Sequence, residues 1–188
     1  MLHPRLAQPF FRDFPHGGAW TTHLGVTGGL NFGSLGDATG LDLCARTDLT
    51  PLAGFNLEVT ERKVPALRSG PACFWEMRTP DGRTANLTVR ATTFPSVAEA
   101  VRFHGQAHGS AGMTPDGEID GVGDSATGFT RRRDIGYSFD EYLVTVQTGN
   151  LVTTVWIALG AEKLTPKQTL SSRTIEITLK LVAMIPRR

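Results

Sequence analysis

The sequence predicts an α+β fold: a single domain with a central antiparallel sheet packed by helices. Three observations carry that expectation. Residues 73–92 and 137–159 each alternate apolar and polar side chains around a tight-turn signal, Thr79-Pro80-Asp81-Gly82 in the first and Gly149-Asn150 in the second, which is the pattern of antiparallel hairpins. Segments opening at Ser96 and Thr165 begin with capping residues and continue with apolar residues at helical spacing. Finally, 188 residues is single-domain length, natural domains falling mostly at roughly 100 to 200 residues.

Composition narrows the function classes. With 19 basic and 18 acidic side chains the formal net charge is +1, too small to hold a polyanion through a global field, so nucleic-acid binding is disfavoured. No apolar run approaches the roughly 20 residues that span a bilayer. The opening Met1-Leu2-His3-Pro4-Arg5-Leu6 has no apolar signal-peptide core, so the expectation is either a cytosolic chain or one that starts after a removed export segment.

Residues 1–40 hold eight of the 21 glycines together with Phe10, Phe11, Phe14, Trp20 and Phe32. Flexible linkers lack aromatics and regular helices lack so much glycine, so we read an irregular segment whose rings lie on the domain body or on a neighbouring chain. The domain proper is then 41–188. Its only cysteines, Cys44 and Cys73, have 28 residues between them, far from a Cys-x-x-Cys redox or zinc spacing, which leaves a structural bridge or two unrelated thiols.

Asp48 through Gly54 carries a capping side chain, Pro51 in a first turn and a closing glycine, the marks of a helix of one or two turns. Phe55, Leu57 and Val59 alternate with Asn56, Glu58 and Thr60, as in a half-buried strand. In the hairpin 73–92, Cys73, Trp75 and Met77 share one face with Leu87, Val89 and Ala91, while Glu76, Arg78, Asn86, Thr88 and Arg90 point the other way. Ser96 and Glu99 form a capping-box signature, and the helix that follows gathers Val97, Ala100, Val101 and His104 into an apolar stripe before a loop at 109–117.

His104 and His108 stand four apart, the spacing with which a helix presents two imidazoles to a metal. Gly105 and Gly109 interrupt that helix and no third ligand is evident, so no metal is expected. Gly121-Val122-Gly123-Asp124 lacks both the Gly-Lys-Ser/Thr ending of a phosphate loop and the three spaced glycines of a dinucleotide fingerprint. It reads as a turn entering a strand at 126–131. Arg131-Arg132-Arg133 beside Asp134 reads as a solvated hairpin end rather than an anion site.

In the second hairpin, pairing across Gly149-Asn150 sets Tyr142, Val144 and Val146 beside Ile157, Val155 and Thr153, with Leu143 and Trp156 on the opposite face. A strand pair apolar on both faces belongs at the centre of its sheet. The last segment alternates like a strand, but Thr165-Pro166 supplies a helix start, and helical spacing sets Arg173, Glu176 and Lys180 opposite Leu170, Ile177, Leu181 and Ile185. A helix over 166–184 is expected.

Taken in order, Cys44 before Asp48-Leu49-Thr50-Pro51, Cys73-Phe74-Trp75, Gly123-Asp124-Ser125-Ala126, the long hairpin and a final helix ending near Pro186 resemble a family of actinobacterial exported proteins, many of them lipoproteins, of unknown function. The resemblance covers about residues 41–186. It implies an extracellular or cell-envelope domain, a Cys44–Cys73 disulfide and a fold similar to the PsbP-like lipoproteins. Neither a lipid-attachment cysteine nor a signal peptide is seen here, and the N-terminal segment is additional.

The expected function is binding without catalysis or cofactor, the partner being a small apolar ligand, a lipid or an envelope protein. Leu143 and Trp156 supply the apolar floor of the expected site, and Thr145, Gln147 and Thr154 its polar groups. The alternatives are an interaction protein regulating a membrane sensor and a hydrolase built on Ser125 or Ser138 with one of the five histidines and an Asp. No Gly-x-Ser-x-Gly elbow accompanies either serine.

Overall fold

The computed structural model describes residues 40–67, 69–110, 112–134, 138–161 and 165–185. The chain divides into two units, residues 1–30 and 31–188, and the description concerns the second. The expectation for residues 1–40 lies outside the described residues except for Gly40.

Seven antiparallel strands form one sheet in the order β1-β2-β3-β7-β6-β5-β4. They are β1 (Glu58–Lys63), β2 (Ala72–Arg78), β3 (Thr84–Thr93), β4 (Thr114–Glu118), β5 (Ser125–Asp134), β6 (Ser138–Thr148) and β7 (Leu151–Ala161). Helices α1 (Leu43–Arg46), α2 (Val97–Ser110) and α3 (Lys167–Ala183) and a 3-10 helix, Thr50–Phe55, complete the α+β fold among the described residues.

Both hairpins form as their alternation requires. Trp75 pairs with Leu87 and Cys73 with Val89, and Trp75 is 3% exposed. Tyr142 pairs with Ile157, Val144 with Val155 and Leu143 with Trp156. The central position of this hairpin is also found: β7 lies between β3 and β6, joined to β3 by nine register pairs from Ala85↔Leu159 to Thr93↔Leu151.

One face of the sheet is a closed core. Cys73, Trp75, Met77, Leu87, Val89, Tyr142, Val144, Val146, Val155 and Ile157 form one cluster with Leu170, Ile177 and Leu181 of α3 and with Leu43 and Leu52 from the two short helical pieces. Cys44 and Cys73 stand as a disulfide-compatible pair, Cα atoms 5.2 Å apart, which fits bridge geometry and ties α1 to β2. The charged face of α3 is as expected, with Glu176 between Arg173 at 3.4 Å and Lys180 at 3.1 Å. Packing thus decides for helix over strand in the last segment.

Several expectations are corrected. Phe55 closes the 3-10 helix instead of starting a strand, and that helix ends on Asn56, whose φ of 53° is left-handed, not on Gly54. The strand itself starts at Glu58 and is exposed along its whole length, because an edge strand has a neighbour on one side only. At the opposite edge β4 occupies the expected loop. Its Pro115 and Gly117 weaken any strand signal, yet proline is tolerated at an edge, and a register shift lies between these two residues.

Helix α2 continues through Gly105 to Ser110, and Val101 is 52% exposed rather than part of the buried stripe, which is Ala100 and His104. At the start of α3, Thr165 is not the cap: Pro166 holds that position, and the Thr165 N–H donates to Asp140 Oδ2 at 2.9 Å. The Gly123-Asp124 turn is explained by close approach. Gly123 has φ 64° and a Cβ there would collide with Val146, Gln147 and Thr148, while Asp124 Oδ2 accepts from Gly149 N at 2.6 Å and so anchors the β6–β7 turn.

Candidate functional site

The sheet's other face is built differently. Helix α2 contacts β6 and β7, its buried Ala100 stands outside the α3-side cluster, and His104 Nε2 lies 3.2 Å from Thr145 O. A carbonyl only accepts, so Nε2 donates. The helix thus covers one end of the face, where Thr145 and Gln147 are buried at 2% and 3% exposure. The Gln147 amide donates to Gly149 O at 2.5 Å.

Beyond α2 the register lines up side chains in rows across the strands. One row runs Phe74, Thr88, Trp156, Leu143 and Phe129 on β2, β3, β7, β6 and β5. Phe129 is fully buried, whereas Phe74, Thr88, Trp156 and Leu143 are half-buried. From Phe74 to Leu143 is three inter-strand steps, about 14 Å. A polar row lies on one side of this stripe: Ala72, Arg90, Thr154, Thr145 and Thr127. On the other side lie Glu76, Asn86, Ala158, Glu141 and Arg131.

This last row is electrostatically closed. Glu141, 3% exposed, pairs with Arg131 at 2.7 Å and Arg133 at 2.8 Å, and it accepts from Trp156 Nε1 at 3.1 Å. That hydrogen bond fixes the indole within the stripe. The arginine run is therefore not a solvated hairpin end: two of its side chains bind buried Glu141, and Arg132 holds Asp140 on the opposite face at 2.8 Å. Alternation along β5 divides a run that looks uniform in sequence.

Among the described residues, two polar atoms at the centre of the sheet have no protein partner. Thr88 Oγ1 and Arg90 Nε are both buried and unpaired; Arg90 donates through Nη2 to Ser69 Oγ. Burial alone pushes the Arg90 guanidinium below its ordinary pKa. Buried polar atoms in folded proteins are nearly always paired, so two exceptions beside a half-buried apolar row mark the place where a bound group would find donors.

All five residues expected to form the site do lie on this face. Trp156 and Leu143 form the stripe and Thr154 borders it, while Thr145 and Gln147 sit in the part that is already buried. Phe74, Thr88 and Arg90 join them through the β3–β7 pairing, a contact between segments far apart in sequence.

A concavity of about 290 Å³ opens elsewhere, at the start of α3, and is lined by Thr130, Arg132, Asp140, Tyr142, Thr165 and Lys167, among others. Asp116 reaches into the same group, binding Lys167 Nζ and accepting from Tyr142 Oη at 3.1 Å. Burial, reinforced by the Asp116 charge, pushes the Tyr142 hydroxyl far up, so it is a proton donor here and not a base. Gly128 makes room for that ring, since a Cβ there would strike the phenol. The carboxylates of this cleft, Asp116, Asp140 and Glu141, each have a cation.

Ser125 and Ser138 begin β5 and β6 and lie at opposite ends of that strand pair. His104 is engaged with Thr145 O; His3, His16 and His23 and the side chain of His108 lie outside the described residues. Among the described residues no group of three or more His, Cys, Asp or Glu is placed to hold a metal, and no helix is long and apolar enough to cross a membrane. Comparison with protein-family models, curated proteins and solved structures finds no match.

Proposed function

We propose that this chain is a non-enzymatic binding domain for a small apolar ligand, with its site on the Phe74–Thr88–Trp156–Leu143 stripe. The observation that carries the reading is the stripe itself: a half-buried apolar row with an unpaired hydroxyl in its middle and polar rows on both sides. Binding sites are typically apolar with a few placed polar groups, and the indole is held in position by Glu141. The cleft at α3 has its charges neutralised by one another, so it offers a weaker case for chemistry.

The proposal includes location and kinship. A Cys44–Cys73 bridge suits an oxidising compartment, in keeping with a secreted or cell-envelope protein of the actinobacterial exported type and a PsbP-like arrangement of sheet and helices. A second reading, a protein-interaction accessory, draws on Val101 and Phe103, both exposed on α2, with the Phe103 ring 4.8 Å from that of Phe94. A defined oligomer or complex in native mass spectra would favour it.

The test is uptake of the uncharged dye Nile red by the full chain. Saturable fluorescence enhancement that weakens about tenfold in Trp156→Ala, in line with the loss of a large aromatic contact, is expected. Uptake that is absent, or indifferent to Trp156→Ala, overturns the proposal.

A further inference from the structure

We infer that the occupant of the stripe is an amphiphile with a single carboxylate, its head group on Arg90 and Thr88 and its hydrocarbon along Trp156 and Leu143. This rests on the stripe being the binding site and names the class of ligand it takes.

The argument begins from charge. Arg90 lies in mid-sheet, and its register neighbours are Ala72 and Thr154. Its diagonal neighbours on the same face are Phe74, Val152 and Trp156. None of these is a carboxylate. The nearest acidic row is two rows away, at Asn86 four residues along β3, where Glu76 is bound by Lys63 at 3.4 Å and Glu141 by Arg131 and Arg133. Among the described residues the other half-buried arginines on this face, Arg131 and Arg133, have a carboxylate, and Arg90 has the hydroxyl of Ser69.

A guanidinium that is partly desolvated without an anion is costly, and a bound anion would remove that cost. Geometry selects the kind of anion. Thr88 and Arg90 are two residues apart on one strand, so their side chains leave the same face about 7 Å apart at the backbone. Their unpaired atoms, one hydroxyl and one N–H, can each donate to one oxygen of a carboxylate. One cation neutralises one negative charge, which a carboxylate carries and a phosphate monoester near neutral pH exceeds.

Thr88 also belongs to the apolar row, next to Trp156 and then Leu143. A head group placed there sends its hydrocarbon along the row. Charge complementarity and the apolar stripe thus select one molecule with both parts, such as a fatty acid.

The experiment is displacement of Nile red from the delipidated full chain by dodecanoate, dodecan-1-ol and dodecyl phosphate at pH 7. Dodecanoate should act at about tenfold lower concentration than dodecan-1-ol, the margin of a charge-assisted hydrogen bond. Arg90→Met should abolish that preference and Thr88→Val reduce it, each variant being checked for a native circular dichroism spectrum. Equal action of dodecanoate and dodecan-1-ol, or a preference that survives Arg90→Met, overturns the head-group assignment while dye uptake keeps the stripe reading. Stronger action by dodecyl phosphate than by dodecanoate overturns the choice of carboxylate. If neither the dye nor any of the three probes binds, the stripe reading fails and this inference with it.

Discussion

The two faces of the β6–β7 hairpin are made by the same strands and differ in what covers them. On one face Tyr142, Val144, Val146, Val155 and Ile157 are each no more than 3% exposed and lie in one cluster with α3. On the other, Leu143, Thr154 and Trp156 remain half-buried, and α2 is anchored at Thr145 through His104. Apolar residues on both faces are therefore not two cores. One is a core, and the other stays half-buried among the described residues.

The comparison breaks most directly through paired truncations. Ile177→Ala empties a site at 0% exposure and should cost about 4 kcal/mol in denaturant unfolding, near the upper part of the range for buried aliphatic truncations. Leu143→Ala removes a similar side chain from the half-buried face and should cost about 1 kcal/mol. Equal losses would show that the second face is core and leave no room for a site there.

The covered face also carries the covalent tie, because Cys73 lies fully buried within its cluster. In the chain-entropy description a bridge closing a loop of this length stabilises by about 3.6 kcal/mol, and Cys44→Ser should lose most of that. Intact mass after alkylation checks the premise: labels on Cys44 and Cys73 should enter only after reduction. Free thiols in freshly oxidised protein would remove both the bridge and the strongest support for an exported protein.

A smaller effect of opposite sign is expected at the centre of the stripe. Thr88→Val replaces a buried hydroxyl that has no protein partner with a methyl group of similar shape, so the ligand-free protein should gain up to about 1 kcal/mol. A loss of that size in thermal unfolding would mean that the hydroxyl is satisfied in the free protein. Stability and ligand preference would then move in opposite directions in one variant, a pattern found at sites that hold polar groups ready for a partner.

How much of this was legible from sequence follows from how local each signal is. The hairpins at Cys73 and Tyr142 could be read because alternation and turn residues lie within a few positions of one another, and the register that joins Leu143 to Trp156 followed from the turn. The edges were legible only in part: the strand expected at 55–60 overlaps β1 at 58–60, and β4 was expected to be loop. Pro115 and Gly117 hide β4, and β1 has no buried side to impose a period on its sequence. The stripe was half legible for a related reason: Trp156, Leu143 and Thr154 belong to one hairpin, whereas Thr88 and Arg90 reach them only through β3–β7 pairing, which no short-range pattern encodes. The cover over Thr145 by α2 is likewise a tertiary fact, as is the division of Arg131, Arg132 and Arg133 between two faces.

The smallest expected effect concerns how the covered face is fastened at its rim. Asp48 accepts from Lys180 Nζ of α3 at 2.9 Å, from Thr50 N at 2.9 Å and from Thr50 Oγ1 at 2.8 Å, so one half-buried carboxylate links the 3-10 helix to α3. The Lys180 hydrogen bond, followed by those from Thr50, lowers its pKa from 3.8 to about 2. A carboxyl depressed in the folded state contributes stability that is fully present above its unfolded pKa and is lost as pH falls through the folded value. Asp48→Asn should therefore be slightly less stable than the parent at pH 7, with the gap narrowing below about pH 4 and closing near pH 2. Because the pair is partly exposed, added salt should also shrink the gap at pH 7. Urea unfolding of both proteins at pH 7, 4 and 2 separates this from a purely steric effect of the substitution, which would leave the same gap at every pH. Among the described residues no carboxylate fastens Arg90 in this way, so its charge should respond to a bound carboxylate where the rim responds to protons.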